Sequence, residues 1–161
     1  MSKPAFSEKA YAANDAGIAI VMGELMLAHL RRIYQAFDGD LILAMILAEI
    51  AHHNIKDLVR TERFWNTDIA AYFADNQLKP VNTLSLSHSC NIPRETLRRK
   101  IQTLTDAGLI LKTQDGNLHL TEKCLQRFGP DFNKALLADI LTCSVRLETL
   151  LDENGPGKTN Q

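Results

Sequence analysis

Arg94, Thr96, Arg98, Arg99, Gln102 and Thr103 are the side chains of this sequence whose types and spacing best fit one shared chemistry. Each donates hydrogen bonds, and the arginines carry a planar fork that matches a guanine edge or a phosphate. They lie in a run where Arg94, Arg98, Arg99 and Lys100 face Glu95 alone, a local +3 in a chain whose formal net charge is −1. Bulk charge therefore gives no argument for nucleic acid, membrane or an acidic substrate, whereas the placement of charge does. A solvated helix face is the plainer account of an isolated basic run, so the surrounding frame has to decide.

Other chemistries assemble less well. His52 and His53 are neighbours and on a helix point about 100° apart, so one face cannot present both to a metal. Glu49 and His53 form an i, i+4 pair of the kind found as a surface hydrogen bond. Cys90, Cys124 and Cys143 lie far apart without metal-ligand spacing, which reads as reduced thiols, and Cys90 reads as a buried structural residue rather than a redox sensor. No phosphate-binding glycine loop, nucleophile elbow or HExxH pattern occurs. The expectation is a protein that is not an enzyme, with no catalytic residue, no metal site and no cofactor.

The frame around the basic run has the punctuation of two helices and a turn. Thr83 to Cys90 suits a short supporting helix, Asn91 tolerates the left-handed turn conformation, and Pro93 fits the first position of a second helix. Leu97, Ile101 and Leu104 fall at i, i+4 and i+7, one apolar stripe that leaves the polar side chains on other faces. Gly108 closes that helix at about Ala107, and Leu109 to Leu111 then begins a strand. Asp115-Gly116 is a two-residue hairpin signal, and Asn117 to Leu120 alternates polar and apolar on the way back.

IPRETLRRKIQTLTDAGLI, a hairpin and then LHLTEK resemble the DNA-binding part of winged helix-turn-helix transcriptional regulators of the MarR type. The likeness spans Thr83 to Lys123. It departs from that pattern at the hairpin tip KTQDGN, which lacks the family's wing arginine, and at Cys124, where a Gly is common. The resemblance implies a mainly α fold, a winged helix-turn-helix with a two-stranded β-hairpin wing plus helical dimerisation elements. It also implies a sequence-specific regulator that places the helix 93–107 in the major groove of double-stranded DNA. The DNA-contacting set it implies is Pro93, Arg94, Glu95, Thr96, Arg98, Arg99 and Gln102 on that helix. Thr83, Ser85 and Ser87 on the supporting helix, with Lys112 and Asn117 near the wing, would meet phosphates. The alternative is a winged helix used for protein contact without DNA, which would present apolar or acidic residues where this one presents Arg, Gln and Thr.

The rest of the chain supplies scaffold. At 161 residues and 45% apolar it can form one compact unit. Residues 1–14 read as a flexible arm, 15–152 as a single domain and 153–161 as a disordered polar tail. Within the domain, 15–58 and 130–152 are expected to dimerise and 66–127 to form the winged helix. Asp15 to Phe37 keeps a helical period, Asp38-Gly39-Asp40 breaks it with Asp40 as a helix cap, and LILAMILAEI is apolar nearly all round. A second subunit is the expected cover for part of that surface, making a homodimer; burial inside the monomer is the other option. Phe64 and Trp65 read as an aromatic pair docked on the core, and Ile69 to Phe73 as a short helix. Thr121 starts another helix, and 131–151 a last one with a broad leucine-rich face. The N-terminus lacks a signal-peptide core and no run reaches membrane-spanning length, which reads as a soluble cytoplasmic protein with no membrane partner. The sequence leaves open which small-molecule effector, if any, controls it.

Overall fold

A computed structural model describes residues 6–59 and 78–152. They are mainly helical with a small antiparallel sheet, in the order α1 (Glu8–Ala36), α2 (Leu41–Val59), β1 (Val81–Asn82), α3 (Thr83–Cys90), α4 (Arg94–Asp106), β2 (Ile110–Lys112), β3 (Asn117–Leu120), α5 (Glu122–Phe128) and α6 (Pro130–Leu151). The aromatic pair Phe64-Trp65, the helix expected at Ile69 to Phe73 and the tail 153–161 lie outside the described residues. No helix among the described residues is long and apolar enough to cross a membrane. The chain divides into two units, residues 1–33 with 131–161, and residues 34–130.

The 34–130 unit closes around one core. Ile46, Leu47 and Ile50 of α2, Leu86 of α3, Leu97, Ile101 and Leu104 of α4, and Ile110, Leu118 and Leu120 of the sheet are all buried together. Burying each such side chain is worth about 1.5–3 kcal/mol, so this stripe-on-stripe packing is the main force holding α4 in place. The sequence reading grouped 41–50 with the dimerisation helices, with burial inside the monomer as the other option; the structure gives one side of α2, Ile46, Leu47 and Ile50, to this core and leaves Leu41, Ile42 and Met45 exposed. Asn54, completely buried on α2, adds specificity to it. Its Nδ2 donates to the Lys79 and Leu118 carbonyls at 2.8 and 3.2 Å, and its Oδ1 accepts from the Leu120 N–H at 2.8 Å. One amide thereby fastens α2 to β3 and to the approach of β1.

The sheet has three strands in the order β1-β3-β2, not the two of a simple hairpin. Val81 pairs with Leu118 and Asn82 with Asn117, a two-residue strand too short to leave a period in the sequence. On the other side Ile110 pairs with Leu120 and Lys112 with Leu118. The turn also differs from the expected two-residue type. Thr113 N–H donates to the Asn117 carbonyl at 2.9 Å and Gly116 N–H to Thr113 at 2.9 Å, leaving Gln114, Asp115 and Gly116 in the loop. Gly116 has φ 79°, the left-handed position that follows a type I turn in three-residue hairpin loops.

The other unit is a pair of helices, α1 up to Ile33 and α6. Arg32 with Asp139, Glu24 with Arg146 and Asn14 with Leu150 mark them as antiparallel. The flexible arm expected at 1–14 is helical from Glu8, and Asn14 (φ −133°, ψ 16°) is where that helix kinks. Its amide compensates by donating to the Ala10 and Leu150 carbonyls at 3.0 and 2.9 Å.

Candidate nucleic-acid interface

The base of the candidate interface is the α3–α4 corner. Asn82 caps α3, its side chain accepting from the Ser85 N–H at 2.9 Å. Asn91 ends α3 with φ 53° and ψ 36°, the left-handed turn expected of it. Pro93 stands one residue before the helix instead of inside it, with φ −55° and ψ 137°. Ser87 Oγ donates to the Ile92 carbonyl at 3.2 Å, so this hydroxyl braces the corner rather than standing free.

At its far end α4 finishes in a Schellman motif. Gly108 N–H donates to Thr105 at 2.9 Å, Leu109 N–H to Leu104 at 3.0 Å, and Gly108 takes φ 68°. Buried Leu104 and Leu109 supply the apolar contact that accompanies it. Lys123 Nζ donates to the Ala107 carbonyl at 2.8 Å, placing a cation on the negative end of the helix.

Between these ends the two faces of α4 separate cleanly. Leu97, Ile101 and Leu104 are at most 3% exposed, while Arg94, Glu95, Arg98, Arg99, Gln102 and Thr103 are exposed and Thr96 is half-buried. The exposed side chains are not equivalent. Arg98 Nε and Nη2 donate to Glu95 at 3.0 and 2.7 Å, a forked pair one turn apart. The Arg98 hydrogen bond, then its charge and that of Arg99, hold the Glu95 carboxyl below its ordinary range. A pair this exposed costs little to open, so Arg98 stays available to a polyanion. Gln102 Nε2 donates to Asp106 at 2.7 Å and Thr103 Oγ1 to the Arg99 carbonyl at 3.2 Å. The guanidinium groups of Arg94 and Arg99 make no hydrogen bond or ion pair among the described residues and stand whole on the exposed face.

The flanks of α4 carry less than the sequence suggested. Ser85 and Lys112 are exposed, Thr83 and Asn117 half-buried, and Asn117 donates its backbone N–H to Thr113 Oγ1 at 3.1 Å. On α3, Leu84 is 51% exposed beside Ser85, while Leu86 is completely buried. The exposed cap Asn82 is the polar group that sequence reasoning missed there. An Asn immediately before Thr83 was the available signal. Lys100, counted with the basic run, leaves the exposed face altogether and pairs with Asp40. The chemical capacity of the whole surface is one turn-spaced row of guanidinium, amide and hydroxyl donors on a rigid helix.

The other candidate groups stay apart. His52 and His53 rings meet edge-on with centroids 6.4 Å apart, no hydrogen bond joins Glu49 to His53, and no cluster of three metal-ligating side chains occurs among the described residues. Burial pushes the Cys90 thiol up, with a Ser89 contact opposing and Glu49 assisting, and burial pushes Cys124 up to about 11. Both are therefore thiols, not thiolates, near neutral pH. No family model, curated protein or solved structure matches the chain.

Proposed function

We propose that residues 78–128 form a winged helix-turn-helix and that the protein is a sequence-specific, double-stranded DNA-binding transcriptional regulator of MarR-like layout. In this reading α3 is the supporting helix, α4 enters the major groove, and the β2–β3 hairpin is the wing. The observation that carries it is the exposed face of α4, where Arg94, Arg98, Arg99, Gln102 and Thr103 stand together with every large apolar side chain of that helix turned inward. Arg binds guanine O6 and N7 bidentately, and Gln does the same for adenine. Arg94 and Arg98, in the first turns, are placed for base edges. Asn82, Ser85 and Lys112, at the periphery, are placed for phosphates that set the register.

The same reading makes the protein a homodimer through the α1–α6 helix pair. Two reading helices about 34 Å apart are needed to meet successive half-sites, and a two-fold axis supplies them. What supports it is apolar surface: Ile20, Met26, Leu137, Leu141 and Val145 are each 55–63% exposed in that unit. The protein works inside the cell in this account, where its substrate is found.

Selection from a random duplex pool with the purified full chain tests the reading. It predicts enrichment of an inverted repeat whose half-sites lie about 10 base pairs apart. A pool that never enriches, with no salt-dependent binding to any duplex, transfers the α4 face to a protein partner.

A further inference from the structure

Lys100 flanks the inward stripe of α4. Leu97 at i−3 and Leu104 at i+4 are its helical neighbours on that side, and both are buried. Its side chain is 19% exposed, against 69% for Arg98, and its ammonium pairs with Asp40 Oδ2. The second oxygen of the same carboxylate accepts the Leu43 N–H at 2.9 Å, capping α2. One side chain thus caps the start of α2 and holds α4.

The backbone beneath Asp40 is itself fixed. Asp38 and Gly39 take φ 50° and 86°, Gly39 N–H donates to Tyr34 at 2.8 Å, and Asp40 N–H donates to Phe37 at 2.9 Å. A Cβ on Gly39 would stand 3.1 Å from the Tyr34 ring, so the turn has little room to relax. Apolar packing of α2 on α4 gives most of the binding energy between them, but it is non-directional and tolerates small slides and rotations. A charge pair at the rim of that packing does not tolerate them, because both partners lose solvent and need each other.

We infer that Lys100 and Asp40 are a positioning pair that sets the rotation and axial level of α4, aiming Arg94, Arg98 and Arg99 without touching DNA. This rests on the DNA-reading proposal. Lys100 is consequently the cation of the basic run that contributes nothing to phosphate neutralisation.

The test uses full-length protein and the duplex selected by the wild type, with Lys100→Met, Lys100→Arg, Asp40→Asn and the Lys100→Met/Asp40→Asn double variant. Asn at position 40 keeps a capping oxygen and loses only the charge. Each charge-removing single variant is expected to bind about tenfold more weakly, and the double variant no more weakly than either, the sign of coupled residues. The salt dependence of binding is expected to keep the wild-type slope, and Lys100→Arg to recover most of the affinity. A slope lowered by about 1 in Lys100→Met with Asp40→Asn unaffected makes Lys100 a phosphate contact and overturns the inference. Unchanged affinity in both folded singles overturns it as well, as does additive loss in the double variant. If Lys100→Met does not fold, by circular dichroism, Asp40→Asn against wild type decides on affinity and slope alone. A wild-type protein that selects no duplex defeats the DNA reading itself, a separate result.

Discussion

Among the described residues, the 34–130 unit gathers a large set of apolar side chains around one core, whereas the α1–α6 pair leaves most of its own in solvent. The first unit buries Ile46, Ile50, Leu86, Leu97, Leu104, Ile110 and Leu118 to below 2% exposure. Among the described residues the helix pair buries only Ala10, Ile18, Val21 and Cys143, and exposes Ile20 at 61% and Val145 at 63%. A helix pair with so little interior cannot offset its conformational entropy by its own contacts. The contrast is what the dimer proposal rests on: one unit carries its stability internally, and in that proposal a partner surface completes the other.

The largest effect that can break this comparison lies in the closed unit. Leu97→Ala is expected to lower the unfolding free energy by about 2–5 kcal/mol in urea titration, because its site is completely buried and the neighbours cannot collapse into it. A loss of a few tenths would show that α4 is not cored as described. Leu141→Glu probes the open unit, at a side chain 58% exposed. It is expected to convert a two-fold particle to a single chain in sedimentation at micromolar concentration, with little change in the urea midpoint of the core. A wild-type protein that sediments only as an 18.0 kDa species would remove the dimer from the account.

The same division governed what could be read from the sequence. The α4 stripe, the Asn91 turn, the Gly108 stop and the Asp40 cap were legible because each is local: a period, a left-handed position or a capping side chain. Long-range pairings were not. Nothing near Asn54 announces that it will meet Lys79, Leu118 and Leu120, and nothing near Val81 announces a partner at Leu118. Lys100 entered the sequence reading only as part of a local charge count along the run, which cannot show that its partner is Asp40, far away in the chain. The cap Asn82 is local and was available, standing directly before Thr83, but sequence reasoning missed it. Apolar character all round α2 suggested a subunit contact, yet the structure splits it, with Ile46 and Ile50 inside and Ile42 and Met45 about 45% exposed.

A smaller effect concerns acid. Burial raises the Asp40 carboxyl, but the Lys100 hydrogen bond, the Leu43 N–H and the charges of Lys100 and Arg99 together hold it below its usual 3.8. A depressed folded value means the pair stabilises the fold fully above that pH and loses its contribution as pH falls through the lowered value. Wild type is therefore expected to lose its stability advantage over Asp40→Asn below about pH 3.8 in acid denaturation curves. An advantage that persists unchanged to lower pH would mean the ion pair does not form.

The smallest expected effect is none. With burial keeping Cys90 and Cys124 as thiols, mild peroxide should leave DNA binding unaltered, and Cys90→Ser should behave as wild type. Peroxide that abolishes binding in the wild type but not in Cys90→Ser would make Cys90 a sensor.

The most direct measurement is the affinity of Arg94→Ala/Arg99→Ala for the selected duplex across a salt series, since these are the two guanidinium groups that stand unpaired on α4. If they read bases, each is expected to cost about 1–3 kcal/mol per half-site and relax preference at one position; if they meet phosphates, each should lower the salt slope by about 1. A variant that is folded and binds as tightly as wild type at every salt concentration would contradict the claim that α4 is the reader.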